Sequence, residues 1–165
     1  MELKLNREYA LRHLFVVVLM IGLGGWFGYD GFFRYPATPA HDLYVLIEKA
    51  EPDPDGPSLA LFKEQKIKSQ KGFALLALLA AAFVARGLWK SSRVRFSFDD
   101  NGFTAGTQWY GYGEIKSLDD AAWEKKGITR VVLEGRTVVL DAWHHTGVKE
   151  FHEKALLAID KSRKI

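Results

Sequence analysis

Apolar positions along this chain come in blocks. No charged residue occurs from Leu14 to Tyr29, and none from Gly72 to Ala85. The first block, Leu14–Phe33, reads LFVVVLMIGLGGWFGYDGFF and carries one charge, Asp30, near its end. At about 1.5 Å per residue, a helix of that length covers roughly 30 Å, the thickness of a bilayer's hydrocarbon core. The second block, Phe73–Trp89, reads FALLALLAAAFVARGLW and sits at the lower limit for a span. Arg86 falls in its last turn, where the stem stays in lipid while the guanidinium reaches the headgroups. Trp26, Tyr29, Phe32, Phe33 and Tyr35 mark one end of the first block, and Trp89 marks the second. Neither block keeps the polar stripe of a helix on a soluble core, so membrane spans are the favoured reading over a buried helix pair. Lys4, Arg7 and Arg12 resemble the basic start of a signal peptide. The long apolar run, with no small-x-small site after Gly25, favours an uncleaved anchor.

Gly24 and Gly28 form a small-xxx-small pair, and Ala77, Ala81 and Ala85 repeat that spacing on the second block. Small residues let two helix backbones approach where lipid removes the hydrophobic drive, so these five are expected to pack the spans together. Asp30 is expected at the membrane interface and not as a buried proton carrier.

Between the blocks, Leu43, Leu46, Ile47 and Ala50 follow helical spacing, with Thr38 as the expected cap and Pro39 at the first helical position. The run Glu51-Pro-Asp-Pro-Asp-Gly-Pro57 stops this helix, and Ser58 opens a second, running toward the next span. Glu51, Asp53, Asp55 and Gly56 match the first half of a calcium loop, but its bidentate glutamate would fall on Phe62, and prolines interrupt the rest. A stiff acidic turn is the better account.

From Arg93 the period changes to two. Val94, Phe96 and Phe98 share one face, and Asp99-Asp-Asn-Gly102 predicts a hairpin turn. GFTAGT returns as a second strand, Tyr112-Gly-Glu-Ile115 leads into a third, and ITRVVLE and RTVVLDAW give two more around Glu134-Gly135. A sixth exists if Trp109–Tyr110 pairs. Val148, Phe151, His152, Ala155, Leu156 and Ile159 then form one face of a closing helix, with Thr146 placed to cap it. The predicted divisions are an N-terminal tail over 1–12, spans over 13–33 and 73–90, a helical hairpin loop over 34–72, and a strand-rich domain over 91–165.

Composition changes this picture only where it excludes chemistry. The chain has 165 residues and no cysteine, which removes disulfides, thiolate metal sites and a cysteine nucleophile. Its net charge of +3 comes from basic residues flanking the apolar blocks, while the strand-rich region is close to neutral. A nucleic-acid binder would carry that excess on its folded face, so nucleic acid is not an expected partner. Seven basic residues flank the spans on the side of the two termini, namely Lys4, Arg7, Arg12, Arg86, Lys90, Arg93 and Arg95. The connecting loop has six, together with an acidic stretch, and the slight bias puts both termini in the cytoplasm. Arg86, Lys90, Arg93 and Arg95 are the candidate contacts to anionic lipid headgroups.

No P-loop, Gly-x-Ser-x-Gly or GxGxxG motif occurs outside the spans. Side chains of the adjacent His144 and His145 alternate in direction on a strand and make a poor chelate, and no metal or cofactor is expected. His152 reads as a satisfied core side chain. Trp109, Tyr110, Tyr112 and Trp123 read as packing before they read as a binding surface, and Lys125-Lys126-Gly127 reads as a solvated turn.

A strand meander and one amphipathic helix behind two spans resembles the bacterial PH-like domain family of membrane proteins. The likeness rests on the hairpin Phe96–Phe103 around DDNG, the Tyr112-x-Glu-Ile115 step, the IxxVVL strand and the final helix. It implies a small antiparallel barrel or strongly bent sheet with the helix across one opening. It also implies a non-enzymatic scaffold or accessory subunit in the bacterial cytoplasmic membrane, with integral membrane subunits, lipids or further copies of itself as partners. Lipid or ligand recognition at the membrane surface is the alternative. In eukaryotic PH domains, basic residues around the first hairpin contact phosphoinositides; here that turn carries Asp99 and Asp100, which repel phosphate.

Overall fold

The computed structural model describes residues 1–53 and 58–162. The chain forms two units, one from His13 to Arg86 and one joining Met1–Arg12 to the residues from Gly87 onward.

Two long helices dominate the first unit. Helix α1, Arg7–Tyr29, starts where the Asn6 Oδ1 accepts the Glu8 N–H at 3.0 Å, an N-cap closing one free amide of the first turn. After Tyr29 the helix widens into a π turn over Asp30–Arg34, closed by the Tyr35 N–H on the Asp30 carbonyl, and ends as α2, Tyr35–Ala37. The wide turn comes just before Pro36, which has no N–H to give and crowds the preceding turn. Helix α3, Ala40–Glu48, buries Leu43 completely and ends at Lys49, whose φ of 54° closes it in the left-handed region. Thr38 does not cap α3; its hydroxyl donates back to the Arg34 carbonyl at 2.8 Å. Helix α4 runs unbroken over Leu59–Ser92, 34 residues, so the helix expected from Ser58 and the second span are one rod. Asp55 and Gly56 of the acidic turn lie outside the described residues.

Contacts between α1 and α4 run in antiparallel register. A Cβ on Gly24 would meet Leu78 at 3.0 Å, and one on Gly31 would meet the Lys71 backbone nitrogen at 3.0 Å. The rings of Phe27 and Phe73 lie 5.5 Å apart between those points. Both helices are long and apolar enough to cross a membrane, and only 6% and 11% of their most apolar stretches are buried. Core helices of a soluble protein would be mostly covered.

The second unit begins with the chain's first residues, which are not a free tail. Strand β1, Lys4–Leu5, pairs antiparallel with His145–Thr146, while Glu2 bridges Ser97 and the Leu3 N–H bonds the Phe96 carbonyl at 2.9 Å. Leu3 is 4% exposed and belongs to the core. Strands β2 (Phe96–Phe98), β3 (Gly102–Ala105) and β4 (Gln108–Gly111) form one three-stranded sheet. Strands β5 (Ser117–Asp119), β6 (Ile128–Leu133) and β7 (Arg136–Asp141) form another, with the short helix α5, Trp123–Lys126, between β5 and β6. Strand β8, His145–Thr146, leads through Gly147 into α6, Val148–Ser162.

Small antiparallel sheets followed by a closing helix are therefore present, and Trp109–Tyr110 does pair, opposite Thr104 and Phe103. The barrel is not closed: the two three-stranded sheets share no ladder among the described residues. Val94 is not on the inner face, because β2 begins only at Phe96 and Val94 stays exposed. Thr146 does not cap α6; its hydroxyl bonds the Lys4 carbonyl at 3.3 Å, which spends it on β1. The core is aromatic. Phe151 of α6 is fully buried and meets Phe96 at 4.9 Å and Phe103 at 5.3 Å, both near edge-on, the arrangement that the ring quadrupole favours.

Candidate functional site at the basic end of the second long helix

The last turn of α4 frays into the strand unit through side-chain and backbone bonds to its final carbonyls. The Ser92 hydroxyl donates to the Trp89 carbonyl at 2.8 Å, and the Arg93 and Val94 amides reach Lys90 and Ser91 at 3.2 and 3.4 Å. The ring Nε2 of the buried His145 lies 3.0 Å from the Ser91 carbonyl, which makes this nitrogen the donor and ties β8 to the helix end. Around these groups opens a cleft of about 770 Å³, walled by Glu2, Leu3, Ser91, Arg93, Arg95 and His145 among others.

Three of the four basic residues singled out from sequence, Lys90, Arg93 and Arg95, lie here, and Arg93 and Arg95 line the cleft itself. Arg86 precedes Lys90 by one turn of the same helix and is exposed. The Arg93 guanidinium sits 4.0 Å from the Trp89 ring centre, a cation–π contact that holds it at the aromatic end of the helix. Among the described residues none of the four has a carboxylate partner. Basic side chains elsewhere do: Arg12 with Glu8, Lys66 with Glu48, Lys116 with Glu134 at 3.1 Å, Arg130 with Asp119 at 2.8 Å.

The packing residues fall inside the helical unit. Gly24 is buried against Leu78 and Ala74, a Cβ added to Gly28 would meet the Ala74 methyl at 3.9 Å, and Ala81 is buried. Ala77 and Ala85 are half-buried. The pattern-based set missed Gly31 and Ala74, because the glycine spacing shortens from four to three at the π turn and Ala74 lies one small residue before the chosen alanine run. Asp30 is 5% exposed, with the Trp26 indole N–H at 3.2 Å and Arg34 at 3.5 Å, so it is an internal acid and not an exposed interfacial one. Both partners lie on its own helix, the neutral indole one turn before it and the guanidinium one turn after.

Elsewhere in the strand unit His152, expected as a satisfied core side chain, is buried with its Nε2 lacking a hydrogen-bond partner among the described residues. The His152 Nε2 lies 3.0 Å from the Asp120 Oδ1, within ion-pair distance but out of line for a hydrogen bond, and its ring stacks 4.0 Å from Trp123. Thr129, fully buried, donates to the same Asp120 oxygen at 2.8 Å. The turn before β3 is acidic and closed. The Asn101 and Gly102 amides both donate to the Asp99 carboxylate, which holds its pKa below the usual range. Burial, followed by the charges of Asp99 and Asp100, raises the Tyr112 phenol, whose hydroxyl donates to the Asp99 carbonyl at 2.8 Å. No trio of His, Asp or Glu side chains gathers in metal-binding geometry among the described residues.

Compared with protein-family models, with curated proteins and with solved structures, the chain matches none of them. The site therefore has to be read from its own chemistry. That chemistry is a polar cleft with uncompensated cations, at the end of a helix apolar enough to cross a membrane.

Proposed function

We propose that this protein is a non-enzymatic, membrane-anchored PH-like interaction module, an accessory or scaffold subunit of a bacterial membrane protein complex. The observation that carries the reading is the weave of the second unit: residues before the first long helix and residues after the second form one hydrogen-bonded fold. A chain that folds its two flanks together must return to the side it left. Two exposed apolar helices between those flanks then cross a bilayer twice and leave the α2–α3 region on the far face. The basic residues Arg86, Lys90, Arg93 and Arg95 lie on the side of the folded unit, which supports a cytoplasmic location for it. Two sheets and one helix around an aromatic core support the PH-like reading, and the exposed apolar faces of the helices offer surface to integral membrane partners or to a second copy.

The absence of native cysteine makes the test direct. Single variants Glu48→Cys, in the region between the long helices, and Lys126→Cys, in the sheet unit, are labelled with a membrane-impermeant maleimide in spheroplasts and again after lysis. The expected result is labelling of Glu48→Cys in intact spheroplasts and of Lys126→Cys only after lysis. Equal labelling of both sites in intact cells would overturn the two-span topology. Purification in mild detergent is expected to bring down an integral membrane subunit in stoichiometric amount, and a lone monomer from native membranes would remove the accessory role.

A further inference from the structure

The cleft at the end of α4 carries charges of both signs that no side chain among the described residues neutralises. Arg93, in the turn that ends α4, and Arg95, just before β2, both line this cleft. Glu2 lines the same cleft from the segment that bridges β2. Among the described residues neither arginine lies within ion-pair distance of Glu2, and none of the three has any other charge partner. Two cations and one anion held apart in one polar cavity of about 770 Å³ fit a ligand with an anionic group and a cationic group at a short separation. Ser91 lines the same cleft and carries a hydroxyl, a donor suited to phosphate oxygens beside the arginines. Leu3 and Leu5 give the same cleft an apolar wall.

We infer that this cleft seats the headgroup of an aminophospholipid, with Arg93 and Arg95 on the phosphate and Glu2 on the primary ammonium. The site deepens the membrane reading proposed above and rests on it. The occupant is a lipid and not a soluble phosphate ester, because the cleft begins at the last turn of an apolar helix, just past Trp89, where headgroups lie. A purely anionic headgroup would satisfy the arginines but would leave Glu2 facing a like charge.

The test uses the full chain in nanodiscs of phosphatidylcholine doped with either phosphatidylethanolamine or phosphatidylglycerol, and counts lipids retained after release by native mass spectrometry. Phosphatidylethanolamine is expected to be retained at one per chain, with a preference of about tenfold over phosphatidylglycerol, a difference of about 1.4 kcal/mol. Arg93→Gln/Arg95→Gln is expected to abolish that retention, whereas Arg93→Lys/Arg95→Lys, which keeps the charge, retains part of it. Glu2→Gln is expected to invert the preference toward phosphatidylglycerol. Equal retention of all three lipids, or an unchanged lipid ratio in Glu2→Gln, overturns the assignment. Free phosphoethanolamine binding to the detergent-purified chain as tightly as the lipid would make the occupant a soluble ligand and overturn it as well. Alkaline extraction of native membranes is run alongside. If the chain is extracted, the membrane reading itself fails; if it stays and no lipid is selected, only the headgroup site fails.

Discussion

The two units of this chain bury opposite kinds of residue. In the helical unit the covered positions include Gly24, Gly31, Ala74 and Ala81, while Phe15, Trp26, Phe33 and Phe83 point outward, Phe83 with 79% of its surface free. In the sheet unit the covered positions include Phe96, Phe98, Phe103, Tyr110 and Phe151. The difference shows what holds each unit together. Burying large apolar side chains from water stabilises the sheet unit, since area removed from water is the dominant favourable term there. Close backbone contact, with little apolar area hidden, holds the helical unit. Such an arrangement is stable where the surroundings are as apolar as the side chains themselves.

The sharpest way to break the comparison is to remove a large side chain from each unit. Phe151→Ala empties the centre of the aromatic cluster and is expected to destabilise the sheet unit by about 3–5 kcal/mol. Phe83→Ala, on the exposed face of α4, is expected to leave unfolding of the full chain in lipid nanodiscs within experimental error. A comparable loss from both, followed by denaturant unfolding, would mean that Phe83 is covered by something the contrast overlooks. A smaller effect is expected from adding bulk to the helical unit. Gly31→Leu forces a side chain onto the Lys71 backbone, which has nowhere to yield, and should cost about 1–3 kcal/mol. Gly22→Leu, with open space around its Cβ position, should cost nothing and gain slightly in helix propensity. Equal thermal shifts for the two would show that these helices do not pack through their glycines.

The smallest expected effect is electrostatic and confined to the sheet unit. The Asp119 carboxylate is held below its usual pKa range, first by the Arg130 side chain and then by the Ala121 amide, and Asp99 by two backbone amides. A carboxylate with a lowered native pKa adds stability above its unfolded pKa and loses it as pH falls through the native value. Acid should therefore weaken the sheet unit from the ordinary aspartate range downward. Asp99→Asn/Asp119→Asn, which keeps an acceptor oxygen at each site, should flatten that decline in unfolding midpoints measured across a pH series. A decline of unchanged slope would place the acid sensitivity elsewhere.

Much of this contrast was legible in the sequence, for physical reasons that differ by element. Leu14–Phe33 and Phe73–Trp89 announce themselves because a long uncharged run has few alternatives to a helix. The final helix is as plain, since Val148, Phe151, His152 and Ala155 repeat at helical spacing and are all buried. Turns were harder. Asn101-Gly102 suggests a two-residue hairpin turn, yet neither residue has positive φ, and Asp99 instead closes the connection Asp99–Asn101 by accepting two amides. The tight turns fall at Gly106 and Gly135, at φ of 74° and 70°. Gly102 is required for a different reason, because a Cβ there would lie 2.2 Å from the Tyr110 carbonyl oxygen. The cleft was half legible. Arg93 and Arg95 stand out as juxtamembrane charges, but nothing local marks Glu2 or His145 as their neighbours. Those residues arrive through strand pairing across nearly the whole chain, a non-local choice that short-range patterns do not encode.

That long-range pairing also sets an order of events during synthesis. Leu3 and Leu5 leave the ribosome early, but their partners, Phe96 and His145, emerge only after both apolar helices have been made. Until then Leu3 and Leu5 lack the strand partners they have in the folded unit. A chain whose helices went astray would never hide them. The strand made before both long helices is thus paired only after them.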